Sequence, residues 1–288
     1  MLQESLLSTL RCPDCLGEAV RAEGADRFRC EACGRVLAVR DGILCARPQA
    51  LEATARVNLD FYDKMAVAGR AHLDTRSLSR NHQTKWQTLD RALQLGNRDQ
   101  PHTVLELGTG AGAHAAQVVD LGHTYVGLDI SAHYLRRSTR TYPALAAATL
   151  VEADATRIPF KDNVFERVFC VSSLHHLSEP MNGVRELVRV LAQGGRFCFL
   201  EPRCWHPGHL IGYLRNPRVE RGTFKAGAAH MIRALAEAGV AEVQVSWCVF
   251  TPNGPAVLRP LYDWIDAVCS RMAPLRGFAV MACVSGQK

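Results

Sequence analysis

"TVLELGTGAGAH", residues 103–114, decides how this chain is read. A short apolar run, broken only by Glu106, leads directly into Gly108, Gly110 and Gly112, and a helical stretch follows. Glycines at such a junction let the chain turn tightly and bring its backbone close to a ligand at the carboxyl edge of a sheet. The spacing Gly108-x-Gly110-x-x-Ala113 also satisfies the dinucleotide fingerprint, so the loop alone leaves a nicotinamide enzyme in contention.

Outward from this loop, short apolar strands alternate with helical stretches. "TYVGLD" (124–129), "ATLVEAD" (148–154), "FERVFCVSS" (165–173) and "GGRFCFLEP" (194–202) are expected strands. "AGAHAAQVVDLG" (111–122), "SAHYLRRSTRTY" (131–142) and "MNGVRELVRVLAQ" (181–193) are expected helices between them. Continuous apolar runs of this kind suit parallel strands covered on both faces. Further on come a helix at 228–239, a strand at 241–250, a helix at 260–272 and a last strand at 277–286.

Three acids shift the balance away from hydride transfer. Glu106 precedes the glycines, where an ammonium group can meet it. Asp129 ends the second strand, where a carboxylate can accept both hydroxyls of a ribose. Asp154 ends the third, where an acid can accept from an adenine amino group. A hydride-transfer site has no evident use for that third acid. One acid at a strand end would read as a helix N-cap; three on successive strands do not.

With "VLELGTGAG", "YVGLDIS", "EADATRIPFKDNVFERVFCVSSLHHL" and "ELVRVLAQGGRFCFLEP" taken together, residues 100–250 and the last strand resemble the class I S-adenosylmethionine-dependent methyltransferases. The resemblance implies a doubly wound α/β fold with a mostly parallel, seven-stranded, Rossmann-like sheet. It assigns Glu106, Gly108, Thr109, Gly110 and Gly112 to the methionine part of the cofactor. Asp129 and Ile130 would hold the ribose and flank the adenine, with Asp154 and Ala155 at the adenine edge.

A sulfonium methyl is already electrophilic, so the protein must align a nucleophile and remove a proton where there is one. "SSLHHLSEP" follows the fourth strand, and His175 and His176 are the base candidates; alignment alone is the other option. Glu201, Arg203 and His206 after the fifth strand form a second polar cluster, either lining an acceptor pocket or making an ordinary loop.

The N-terminal residues carry different chemistry. Cys12-x2-Cys15 is followed after fourteen residues by Cys30-x2-Cys33. Two such pairs give four thiolates able to converge on a structural zinc, with no open position for catalysis. A redox pair would explain one CxxC and leave the other idle. The stretch through "DGIL" (41–44) also resembles the small zinc ribbons that accompany some methyltransferases, although the Tyr-Pro often found before that ending is replaced by "VLAV". The other seven cysteines sit in strand-like or helical surroundings as small core residues, with Cys204 near the expected pocket.

The expected organisation is a zinc ribbon (1–50), a helical linker or cap (51–100) and a methyltransferase domain (101–288). The linker holds an expected helix around "TKWQTLDRALQLG", stopped by Gly96. The chain has 288 residues, 48% of them hydrophobic, and a formal charge of +6, which permits an anionic partner without demanding one. It shows neither a secretory leader nor an apolar run long enough to span a bilayer, so a cytoplasmic setting is expected. Residues 1–50 contain seven arginines (11, 21, 27, 29, 35, 40, 47) and seven acids (4, 14, 18, 23, 26, 31, 41), a neutral balance that does not favour RNA. The favoured acceptor is a small or lipid-like molecule; a ribosomal-RNA guanine comes second, and a non-catalytic cofactor-binding regulator third. The basic stretch 208–225, with Arg215, Arg218, Arg221 and Lys225, reads either as a lid over an anionic acceptor or as a solvated surface.

Overall fold

The computed structural model describes residues 4–68, 79–251 and 256–288. After one helical turn, α1 (Glu4–Leu7), four short strands form an antiparallel meander: β1 (Val20–Ala22), β2 (Arg27–Cys30), β3 (Val36–Arg40) and β4 (Ile43–Cys45). Two helices follow, α2 (Ala53–Val67) and α3 (Arg80–Leu93). The Ser79 hydroxyl caps α3 by accepting the His82 N–H at 3.2 Å. Gln94 ends it in the left-handed conformation, two residues before the expected stop at Gly96.

The alternating region folds as its apolar runs require. Strands β5 (Thr103–Leu107), β6 (Thr124–Asp129), β7 (Thr149–Glu152), β8 (Phe165–Val171) and β9 (Leu191–Pro202) pair in parallel. Helices α4 (Ala113–Asp120), α5 (Ala132–Thr141) and α6 (Pro180–Val190) connect them. Three helices, α7 (Pro207–Arg215), α8 (Ala228–Glu237) and α9 (Arg259–Arg271), and two strands, β10 (Glu242–Cys248) and β11 (Met281–Gln287), complete the chain. β11 inserts antiparallel between β9 and β10. None of the described helices is long and apolar enough to cross a membrane.

The expected seven-stranded sheet needs correction. The described residues build one mixed sheet of eleven strands, in the order β1-β2-β3-β4-β7-β6-β5-β8-β9-β11-β10. Its last seven strands are the doubly wound part. The N-terminal meander adds four more because β4 pairs in parallel with β7, placing Ile43 opposite Leu150 and Leu44 opposite Val151. An edge strand with unpaired backbone groups is thereby covered.

The apolar core follows the sheet across the expected boundary at residue 50. Leu10, Phe28, Leu37 and Leu44 are buried in one cluster with Leu105, Val151, Phe160 and Phe165. Polar ties reinforce the seam: the Arg11 N–H donates to the Pro159 carbonyl at 3.1 Å. Arg157 Nη1 reaches the Pro13 and Asp14 carbonyls at 3.2 and 3.0 Å. The first fifty residues therefore do not pack as a detachable unit.

Shared packing has a direct consequence for Leu44, which is fully buried. Leu44→Ala should lower the unfolding free energy by about 2–5 kcal/mol. All four tryptophans lie beyond residue 50, so their fluorescence reports on the rest of the chain. The fluorescence and far-UV dichroism transitions should shift together in denaturant; a fluorescence transition left unmoved would show a separable N-terminal domain.

Candidate active site

The glycine loop is fixed by the strand beside it. The N–H groups of Gly108 and Thr109 both donate to the Leu128 carbonyl, at 2.8 and 2.9 Å. Gly108 has a positive φ of 76°, and a Cβ there would lie 2.0 Å from the Ser173 hydroxyl oxygen. Gly112, with φ of 84°, would bring a Cβ to 2.7 Å from a Leu145 methyl. Both positions demand glycine for conformation and for space.

Above the loop lies a cavity of about 420 Å³, a size suited to a small ligand. All nine residues expected to hold the cofactor line it: Glu106, Gly108, Thr109, Gly110, Gly112, Asp129, Ile130, Asp154 and Ala155. Asp129 is locally fixed, with Oδ2 accepting the Gly110 N–H at 2.9 Å and Oδ1 the Ser131 N–H at 3.0 Å. Burial raises its pKa to about 6 against those donors. Asp154 accepts both the N–H and the hydroxyl of Thr156 at 2.8 Å, which holds the turn after β7. Glu106 is 2% exposed and accepts the Tyr125 hydroxyl. Burial raises its pKa to about 8, opposed by that hydrogen bond.

The two histidines separate. Of the two base candidates, His176 lines the cavity and His175 does not. His175 is 4% exposed, with Nδ1 2.6 Å from Glu201 Oε2 and Nε2 3.2 Å from Glu220 Oε2. Burial opposes its charge, but the two carboxylates prevail and raise its pKa to about 9. It is an internal cation holding a loop. Burial and that neighbouring cation lower His176 to about 3, so His176 stays neutral.

The second polar cluster does not line the cavity either. Glu201 is fully buried beneath the loop after β8. Arg203 lies 4.9 Å from the Trp247 ring centroid and donates to the Arg276 carbonyl. His206 and Cys204 are half-buried away from the cavity lining. In the basic stretch 208–225, Lys225 pairs with Glu179 and Arg221 reaches the Thr54 hydroxyl at 3.5 Å. These contacts tie the stretch to the body of the protein.

Residues that the sequence did not single out complete the wall. Asn58 and Tyr62 of α2 line the cavity one turn apart. The Asn58 amide donates to the His176 carbonyl at 2.6 Å, and the Tyr62 hydroxyl lies 2.6 Å from His176 Nε2. Glu220 also went unmarked. The aromatic pair Phe61-Tyr62 set between acids in "NLDFYDK" (58–64) was the available signal.

The four N-terminal cysteines converge elsewhere. Cys12 and Cys33 sulfurs are 3.7 Å apart, Cys15 and Cys30 sulfurs 3.5 Å, and all four lie within 4.8 Å of one another. A tetrahedral zinc with Zn–S bonds near 2.3 Å needs sulfurs roughly 3.8 Å apart, so the set fits that ion. The Gly17 N–H also donates to Cys15 Sγ at 3.4 Å. None of the four lines the cavity.

This glycine loop and its strand-end acids lie within residues 105–199, which match the family model described as a methyltransferase domain. The segment is thus similar to methyltransferase domains, and the doubly wound sheet around it is Rossmann-like. Over 137 residues the chain is 35% identical to the demethylmenaquinone methyltransferase of Beutenbergia cavernae, covering 47% of this chain and 54% of that one. Over 75 residues it is 36% identical to the chloroplastic 2-methyl-6-phytyl-1,4-hydroquinone methyltransferase 2 of Oryza sativa subsp. japonica, covering 26% and 21%. The chain thus spans about half the length of the first relative and a fifth of the second. A solved S-adenosylmethionine-dependent methyltransferase of Thermotoga maritima shares the fold, with TM-score 0.51 and 16% identity over 80% of this chain and 99% of that one.

The raised Glu106 pKa would make the binding of an ammonium-bearing cofactor beside it pH-dependent. With its pKa raised to about 8 by burial the carboxyl is largely protonated at neutral pH, and an ammonium group favours the carboxylate. Binding of S-adenosylmethionine should therefore release a proton near neutral pH and weaken as pH falls from about 8 to about 6. Calorimetry in buffers of different ionisation enthalpy checks this. No proton release with unchanged affinity would contradict the assigned state of Glu106.

Proposed function

We propose that the chain transfers a methyl group from S-adenosylmethionine to a small, lipid-like hydroquinone. The observation that carries the reading is the cavity joining the glycine loop to Glu106, Asp129 and Asp154, in a segment similar to enzymes named for quinone and hydroquinone methylation. The residues present fit the cofactor: Glu106 offers a carboxyl to its ammonium, Asp129 a carboxylate to its ribose, and Asp154 with Ala155 an edge to its adenine. When bound, the cofactor supplies an electrophilic methyl group. The protein's own task is to hold an electron-rich acceptor in line and keep water away.

RNA is the weaker reading. Of the seven arginines among residues 1–50, Arg21, Arg29, Arg35 and Arg47 face Glu31, Glu23, Asp14 and Glu152 rather than an open basic surface. Such pairing offsets part of the positive field on which phosphate contacts depend. The four cysteines would hold one structural zinc that braces the meander, with no role in the transfer step.

Incubation with S-adenosylmethionine and a chemically reduced, short-chain demethylnaphthoquinone should give a singly methylated product by mass spectrometry. Asp129→Ala should weaken cofactor binding at least about tenfold, because a charge-assisted contact to two hydroxyls contributes roughly 1.5–3 kcal/mol. Methylation of ribosomal RNA with none of the quinol would overturn the choice of acceptor.

Metal analysis of the purified chain should find zinc near one equivalent, and Cys30→Ser should abolish it. A metal-free protein containing a Cys12–Cys15 disulfide would restore the redox alternative.

A further inference from the structure

His176 touches α2 at two points, and elementary hydrogen-bond logic fixes the direction of both. Its Nδ1 lies 3.3 Å from the Val219 carbonyl, which can only accept, so Nδ1 carries the proton. Nε2 of the neutral ring is then an acceptor, and the Tyr62 hydroxyl at 2.6 Å must donate to it. The Tyr62 oxygen is left with lone pairs alone. Asn58 follows the same logic. The atom 2.6 Å from the His176 carbonyl must be the amide nitrogen, and this leaves Asn58 Oδ1, buried and without a hydrogen-bond partner, as a second acceptor. Asn58 is 5% exposed and lines the cavity, as does Tyr62.

A buried oxygen without a donor is costly, and this wall carries two oxygens with lone pairs to fill. We propose that Asn58 and Tyr62 form an acceptor pair that binds hydroxyl hydrogens of the methyl acceptor, so that the site selects the reduced, hydroxyl-bearing form and rejects the oxidised carbonyl form. The inference rests on the hydroquinone reading for its biological meaning, while its geometry stands apart from it. A quinone brings only lone pairs to these oxygens. Tyr62 can turn its hydrogen toward a quinone only by abandoning His176 Nε2. Neutral His176 keeps this polarity through neutral pH, since burial and the His175 cation hold its proton affinity low. The groups facing His176 are His175, Glu220 and Tyr62, with Glu201 behind His175. None of them offers Tyr62 an alternative donor. The selected form is also the useful one, because the ring of a hydroquinone is electron-rich and that of a quinone is not.

The test measures binding of probes to the full chain loaded with S-adenosylhomocysteine, without turnover and without oxygen. One probe pair is 1,4-naphthohydroquinone and 1,4-naphthoquinone. The other is 1-naphthol and 1-methoxynaphthalene, which asks about hydroxyl donation with no redox chemistry. Wild type should prefer each hydroxyl-bearing member by roughly tenfold to a hundredfold. Tyr62→Phe keeps the ring and should remove most of that preference while leaving cofactor affinity unchanged; Asn58→Leu should reduce it further. A nitrogen-15 spectrum of His176 should show the Nδ1-protonated ring in wild type, with Nε2 losing its hydrogen bond in Tyr62→Phe. Equal affinity within both pairs, no binding of any probe, or a preference untouched by Tyr62→Phe would overturn the proposal. If 1-naphthol is preferred but no reduced quinone is ever methylated, the hydroquinone reading fails and the acceptor pair stands.

Discussion

Glu201, fully buried on β9, receives four nitrogen donors on its two oxygens, besides the Cys170 thiol at 3.9 Å. Oε1 accepts the Ser173 and Leu174 N–H groups at 2.9 Å each, and Oε2 accepts the His175 N–H at 3.4 Å and faces His175 Nδ1 at 2.6 Å. A buried carboxylate is tolerable only when paired and hydrogen-bonded, and this one is both. The loop after β8 is thereby pinned. Ser173 of that loop presses against Gly108, and His176 orients Tyr62 and Asn58. The ion pair beneath thus holds a loop that touches both walls of the cavity, the glycine turn and α2.

The N-terminal meander serves the same geometry from the other side. β4 continues the sheet beside β7, whose end carries Glu152 and then Asp154. Arg47 just past β4 reaches both Glu152 and the Ile130 carbonyl, at the expected adenine flank. The chain then turns into α2 a few residues later. A zinc held by the four cysteines would brace this scaffold at a distance from the chemistry. Removal of residues 1–50 would strip an edge from the sheet and leave Leu150 and Val151 without their partners.

What was legible in the sequence was local. The turn at Gly108–Gly112 announces itself through residues whose conformations only glycine adopts comfortably, and Glu106, Asp129 and Asp154 stand inside, at the end of and just past three successive apolar runs. The fold class follows from the alternation of such runs with helical stretches. The eleven-stranded sheet was hidden because the pairing of β4 with β7 joins residues about a hundred positions apart, and both are short apolar runs with other available partners. His175 and His176 are adjacent and chemically alike. A single short turn sends one into the core and the other to the cavity, and periodicity cannot tell them apart. Tyr62 and Asn58 lie in a helix of mixed polar and apolar residues whose inward face is set by tertiary contacts, and Glu220 sits in a basic stretch whose charge obscured it.

The state of His175 tests this arrangement most directly. Its pKa is raised above the ordinary histidine value, so the stabilisation it contributes is complete below about pH 6.5 and is lost as pH rises through about 9. Nitrogen-15 NMR of the full chain, following the His175 ring against pH, reads this without any substrate. Both ring nitrogens should remain protonated at neutral pH, with titration near 9. A His175 that is neutral at pH 7, or that titrates near the ordinary value of about 6.5, would show that the buried pair with Glu201 does not hold the site together.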